Sequence, residues 1–154
     1  MKHVVVTTDF SPAAEAAFEY AKKEVQLLGK EQCRITLLNV IDVIASTDIN
    51  TEYGLELAHK KGLIEELYEQ SIKKMKEIVN THFTDFCVKT VVLKSEEPIY
   101  HAIVEFVEGN DVDLIILSTH GRTGVKHLFL GSVAERVIRQ SPCPVLVVPA
   151  KKGI

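Results

Sequence analysis

VDLIILSTHGRTGVKHLFLGSVAERVIRQSPCPVLVV, residues 112–148, sets out a strand, a glycine-bearing loop, a helix and a second strand in one run. Leu114-Ile115-Ile116-Leu117 has the length and composition of a strand buried on both faces, and Val145-Leu146-Val147-Val148 repeats the pattern. Between them Ser132, followed three residues later by Glu135, reads as a capping box, so a helix is expected to start at Gly131-Ser132. A βαβ unit of this kind places its loop beyond the carboxyl ends of the strands, where parallel sheets bind ligands. Free amides in the first helical turn and the positive end of the helix dipole favour an anion there. Gly131 would let a ligand approach the backbone closely, and a branched side chain at that position would fill the space a phosphate needs. Gly121 supplies the turn out of the strand. Arg122, Lys126 and His127 add donors, with no acidic residue between Ser118 and Val133. A solvated loop with a well-capped helix has the same spacing, so spacing alone leaves both readings open.

The rest of the chain bounds the answer. Its 154 residues suit one domain with a substantial core, and 46% hydrophobic with 25% charged residues is the balance of a water-soluble globular protein. The net charge of −3 gives no drive toward nucleic acid or an acidic membrane surface. No apolar run reaches the ~18 residues of a membrane span, and Asp9 interrupts the short apolar start, which argues against a signal peptide. Cys33, Cys87 and Cys143 are far apart and form no C-x-x-C, so neither a metal site nor a disulfide framework is indicated. A reducing, cytoplasmic location is expected.

In chain order, His3 to Thr8 is a β-branched first strand. Ser11 as N-cap and Pro12 at the first helical position predict a helix over 12–28, with Ala13, Ala17, Tyr20, Ala21, Glu24 and Leu28 at helical spacing and Gly29 as the stop. A second strand is expected over 34–41, then a polar connection over 45–54. A long helix over 55–81 should carry Leu63, Leu67, Ser71, Met75 and Ile78 on one face. A third strand over 87–93, a helix from Pro98 to Gly109 and the closing unit complete the series. This alternation predicts an α/β three-layer fold with five parallel strands and four main helices. No G-x-G-x-x-G follows the first strand and no lysine precedes Ser132, so neither a dinucleotide fingerprint nor a P-loop is present.

Gly121, nine residues, Gly131-Ser132, then Val133-Ala134-Glu135-Arg136-Val137 and Ser141-Pro142-Cys143-Pro144, together with VVVTTDFSPAAEAAFEYA at the start and Asn39-Val40-Ile41-Asp42, resemble the universal stress protein family along the whole chain. That resemblance implies a Rossmann-like sheet in the order 3-2-1-4-5 and, in the family's nucleotide-binding branch, ATP with Mg²⁺ bridging its phosphates. In that branch a glycine stands where this chain has Ser118; serine is small but does not reach φ > 0 as freely. A glycine usual before the proline near Pro98 is absent as well. Carried over residue by residue, the nucleotide site comprises Thr7, Thr8, Asp9, Val40, Leu117, Ser118, His120, Gly121, Arg122, Gly131, Ser132 and Val133. Asp9 would lie near the adenosine and Val40 beside the adenine. Each has a plainer reading: Asp9 as a carboxylate bonding the amides of the following helix, Val40 as core packing, the threonines as strand formers, and His120 and His127 as solvated loop residues. Cys143 reads as a small buried hydrophobe.

Catalysis has little support, because only Asp9 is acidic at the proposed crevice and no second carboxylate has an evident place beside it. The expected function is therefore a nucleotide-binding regulatory stress-response protein, with slow ATP hydrolysis at most. The alternative is a nucleotide-free dimeric interaction module of the same family; an adenylate-using enzyme is a third possibility without a visible catalytic group. The last strand, Pro144 to Ala150, carries no charge and none of the devices that blunt a free sheet edge, which predicts a homodimer through it.

Overall fold

The computed structural model describes residues 1–47, 56–119 and 130–150. Five strands form one parallel sheet: β1 (Lys2–Thr7), β2 (Cys33–Asp42), β3 (Val88–Ser95), β4 (Leu114–Ser118) and β5 (Val145–Val148). Their order is β3-β2-β1-β4-β5, with β1 and β4 side by side at the point where the chain reverses direction across the sheet. The helices are α1 (Glu15–Leu28), α2 (Val43–Thr47), α3 (Glu56–His82), α4 (Ile99–Glu108) and α5 (Ser132–Gln140). Fold class and strand order are those expected from the sequence.

The sheet is buried on both faces, as its valine, isoleucine and leucine runs require. Period-two alternation sends Val4 and Val6 toward one layer and Val5 toward the other. α1 and α3 cover the first face: Ala17 and Ala21 lie flat on the sheet, and Phe18 stacks against Phe83 at 5.5 Å between ring centroids, with Met75 fully enclosed. α4 and α5 cover the second, where Ile103, Val107, Ala134 and Val137 meet Val5, Leu38 and Ile115. Burying Phe18 or Met75 in this way is worth roughly 1.5–3 kcal/mol each.

Several local expectations are corrected. A single 3₁₀ turn, Pro12–Ala14, precedes α1. The stripe α1 turns to the sheet is Ala14, Ala17, Phe18, Ala21 and Val25, while Tyr20 and Leu28 are exposed: the phenyl ring and valine outweigh the spacing read from the alanines. The chain does stop at Gly29, held at φ +92. Val43–Thr47, whose second half falls in the expected polar connection, opens as a short helix because Asp42 accepts the Ala45 amide at 2.9 Å. On α3 Ile64 joins Ser71 and Met75 among the buried residues. Among the described residues no helix is long and apolar enough to cross a membrane.

Candidate functional site

Three strand ends meet above the switch point. Thr7 lies opposite Leu38 on β2, and Val6 lies opposite Ile116 on β4, so Thr7 and Thr8 stand between Leu38-Asn39 on one side and Leu117-Ser118 on the other. Thr8 is buried and extends the ladder by one bond, its amide donating to Leu38 O at 2.9 Å. Val40 is half-buried with its side chain in the α4–α5 layer, as is Leu117, which is 3% exposed. The expected residues of strands one, two and four are therefore brought together. His120, Gly121 and Arg122, with Lys126 and His127, lie outside the described residues.

The turn after β1 is tightly built. Thr8 Oγ1 accepts the Phe10 amide at 3.0 Å, and Asp9 Oδ1 accepts both the Ser11 amide at 2.9 Å and the Ser11 hydroxyl at 2.5 Å. These bonds hold Phe10 at φ +66, a left-handed conformation uncommon for an aromatic residue and found mostly where a structure over-determines it. Ser11 stands at the N-cap position, yet its hydroxyl donates to Asp9 instead of accepting a helix amide, which corrects its expected capping role. Asp9 thus binds the Ser11 amide at the entrance to the helix, close to its plainer reading.

The start of α5 also differs from expectation. The N-cap is Gly131, not Ser132, and no side chain caps it. Glu135 therefore falls one position beyond the capping-box site; its amide closes the first intrahelical bond onto Gly131 O at 2.9 Å, and its carboxylate pairs with Arg139 at 2.9 Å. What shifts the cap is a long-range contact. Gly131 N–H donates to Thr119 O at 2.8 Å, while the Thr119 amide donates to Val148 O at 2.9 Å, so the helix entrance is pinned to the ends of β4 and β5. Gly131 has φ −59 and ψ 151, open to any residue, but a Cβ there would lie 2.7 Å from Thr119 O. Glycine is needed for that close backbone approach. The expectation that a side chain at 131 would fill ligand space alone is corrected: its first atom strikes the protein.

The amides of Ser132, Val133 and Ala134 precede the first intrahelical bond and lead the helix, with Ser132 exposed. This is a donor set suited to phosphate oxygens. The basic residues of α5 point elsewhere: Arg139 pairs with Glu135, and Arg136 lies over the Tyr100 ring at 5.2 Å. Among the described residues no three His, Cys, Asp or Glu side chains converge to hold a metal ion.

Sequence reasoning passed over Asn39. It is 3% exposed; its Nδ2 donates to Thr8 O at 2.9 Å, taking the place of a further ladder bond, and its Oδ1 is buried without a hydrogen-bond partner among the described residues. A lone amide inside the apolar run LLNVI was the available signal. Phe10 had none, because a positive φ at phenylalanine follows from neighbouring contacts.

The chain and its fold have counterparts among known proteins. Universal stress protein MJ0531 of Methanocaldococcus jannaschii is 33% identical over 151 residues, spanning 98% of this chain and 84% of that protein. Universal stress protein MJ0577 of the same organism is 34% identical over 167 residues, spanning 99% and 97%. The solved structure of MJ0577 superposes with a TM-score of 0.82 at 31% identity, covering 99% of this chain and 98% of its own. A family protein of Arabidopsis thaliana, solved with AMP bound, shares the fold at a TM-score of 0.57 and 18% identity over 98% and 93% of the two chains. The universal stress protein family model itself matches residues 1–149, and this chain belongs to that family.

Proposed function

We propose that this protein is a nucleotide-binding regulatory protein that holds ATP, with Mg²⁺ bridging its phosphates, at the carboxyl ends of β1, β2 and β4 and the start of α5. The observation that carries the reading is the helix entrance: three leading amides of α5, held in place by the Gly131–Thr119 contact at the ends of β4 and β5. Val40 offers apolar surface for the base, with Leu117 buried beneath the crevice, Asp9 a carboxylate for ribose hydroxyls, and Ser132 and Val133 backbone donors for phosphate. Thr7, Thr8 and Ser118 border the crevice; His120, Gly121 and Arg122 complete the site in this reading, Arg122 supplying positive charge that α5 keeps engaged elsewhere. The Arabidopsis family protein that shares this fold was solved with AMP bound. Bound nucleotide then biases conformation or association of a cytoplasmic protein, with hydrolysis slow at most.

A second reading keeps the same family and removes the nucleotide: a dimeric interaction module. Ser118, half-buried at the end of β4, favours it, since the family's nucleotide-binding branch has glycine there. Both readings share a homodimer through Pro144 to Ala150. Among the described residues β5 pairs with β4 alone, which leaves its other edge for a second copy in this reading.

Thermal unfolding separates the two. At a hundred times its dissociation constant a ligand adds about 2.7 kcal/mol. At roughly 2–4 °C per kcal/mol for this size, Tm rises by about 5–10 °C. Acid extraction and chromatography first establish whether purified protein already carries adenine nucleotide. Nucleotide-free protein whose melting curve stays flat up to millimolar Mg-ATP rejects the first reading in favour of the second.

A further inference from the structure

The end of the sheet remote from the proposed nucleotide site holds a buried histidine in a ring of specific contacts. His3, on β1, is 4% exposed. Its Nδ1 lies 3.0 Å from Asn110 O in the turn between α4 and β4, and its Nε2 lies 2.8 Å from Thr36 Oγ1 on β2. Arg34 Nη2 approaches Nδ1 at 3.1 Å and Asn110 O at 3.3 Å. The His3 backbone is bound to the same turn: its amide donates to Asp113 Oδ2 at 2.8 Å, and its carbonyl accepts the Asp113 amide at 2.9 Å. That turn contains Asp111 at φ +49, a left-handed conformation that aspartate adopts more often than most residues.

A neutral imidazole satisfies this ring without setting a second positive charge beside the Arg34 guanidinium. With Nδ1 protonated, it donates to Asn110 O, Nε2 accepts the Thr36 hydroxyl, and Arg34 donates to Asn110 O. With Nε2 protonated, it donates to Thr36 Oγ1, and Arg34 donates to Nδ1. Either tautomer closes the network. A second proton keeps these hydrogen bonds but places a full positive charge on a side chain only 4% exposed, with the Arg34 guanidinium 3.1 Å from Nδ1.

We infer that His3 is an acid-sensitive latch: neutral, it clamps the α4–β4 turn onto β1 and β2, and protonated, it releases that turn so that the imidazolium reaches water. The charged groups facing it set the balance. Burial opposes its protonation first of all; Arg34 on β2 and Lys89 on β3 act in the same direction, and together these hold the imidazole below the ordinary histidine range. The Asn110 carbonyl, which accepts from Nδ1–H, works against them most, and Asp113 does so as well, its carboxylate shared with Lys2 on β1, whose ammonium it binds at 2.9 Å. The sign follows. Above about pH 6.5, where a histidine in the open state is also neutral, the latch is closed at full strength. Below it the open state binds a proton that the closed state refuses, so closure weakens about tenfold per pH unit down to the depressed value in the closed state. Since β4 begins directly after the turn, the loosened segment leads straight into the strand whose far end borders the crevice.

Amide hydrogen exchange on the full chain, corrected for the intrinsic effect of pH, tests this. The His3 and Asp113 amides are expected to be protected at pH 7.5 and to lose about tenfold in protection per unit below about pH 6.5. His3→Gln, which can still donate and accept but cannot titrate, should show flat protection over that range. Unchanged protection in the parent down to pH 5, or the same decline in His3→Gln, overturns the latch. Should His3→Gln fail to fold, the NMR titration of His3 in the parent decides. The latch expects a midpoint below that of solvent histidines, with the Asp113 amide resonance moving in step. An ordinary midpoint, or an Asp113 amide indifferent to it, overturns the proposal.

Discussion

Replacing Gly131 by alanine should destabilise the protein although its backbone angles suit any residue. The added Cβ would sit 2.7 Å from the Thr119 carbonyl oxygen, where ordinary contact begins at 3.4 Å. Thr119 cannot simply withdraw, because its amide is bound to Val148 O and its carbonyl accepts the Gly131 amide. Overpacking of this kind costs about 1–3 kcal/mol. Taking 2 kcal/mol as the central value, Tm falls by about 4–8 °C, and the urea midpoint falls with an unchanged m-value. Gly62 is the internal control: it lies inside α3, and a Cβ there meets nothing within 4 Å. Gly62→Ala should therefore stabilise by roughly 0.5–1 kcal/mol through helix propensity and chain entropy. Opposite signs for one chemical change at two glycines are the diagnostic. A Gly131→Ala protein that unfolds at or above the parent's midpoint refutes the close-approach account of this glycine. A destabilised Gly131→Ala that still binds Mg-ATP as the parent does leaves that account intact and moves the phosphates away from the start of α5.

Phe18→Ala, which empties a site 1% exposed beside Phe83 and His82, should cost about 3–5 kcal/mol and lower the denaturation midpoint more than any surface change; a loss below 1 kcal/mol would mean that α1 and α3 do not meet as described. Ser118→Gly should preserve or tighten nucleotide binding by calorimetry, because it restores the family pattern, and weaker binding would show the serine to be a ligand contact. The proposed dimer is best tested on the backbone. Pro144 and Val148 carbonyls accept from β4, so the alternate residues Val145 and Val147 direct their N–H groups to the free edge. Lysine at Val148 would instead enter the core, since that residue is 2% exposed. Val147→Pro removes one outward donor and should convert dimer to folded monomer by light scattering; an unchanged dimer mass places the interface elsewhere, and a monomeric parent dismisses it.

The sheet was legible from composition because each strand is a short β-branched or leucine run buried on both faces. That pattern, alternating with helical periodicity, leaves few architectures. The helix at Gly131-Ser132 and the stop at Gly29 were legible because local punctuation and period are written in neighbouring residues, whereas the crevice residues of strands one, two and four came from the family resemblance. What tertiary structure decided lies one residue finer. Whether Gly131 or Ser132 caps α5 depends on Thr119, twelve positions away, whose carbonyl takes the Gly131 amide and leaves no room for a Cβ. Whether Ser11 caps α1 or serves Asp9 depends on a turn that puts Phe10 at φ +66. Which stripe of α1 faces inward turned on Phe18 meeting Phe83 across the layer. His3 passes in the sequence for one more strand residue and becomes a clamp only when Arg34 and Thr36 of β2 and Asn110 of the α4–β4 turn arrive from two other parts of the chain. Local sequence sets periods and breaks, but hydrogen-bond partners and excluded volume are set by residues distant in the chain, and those exist only once the sheet has brought them together.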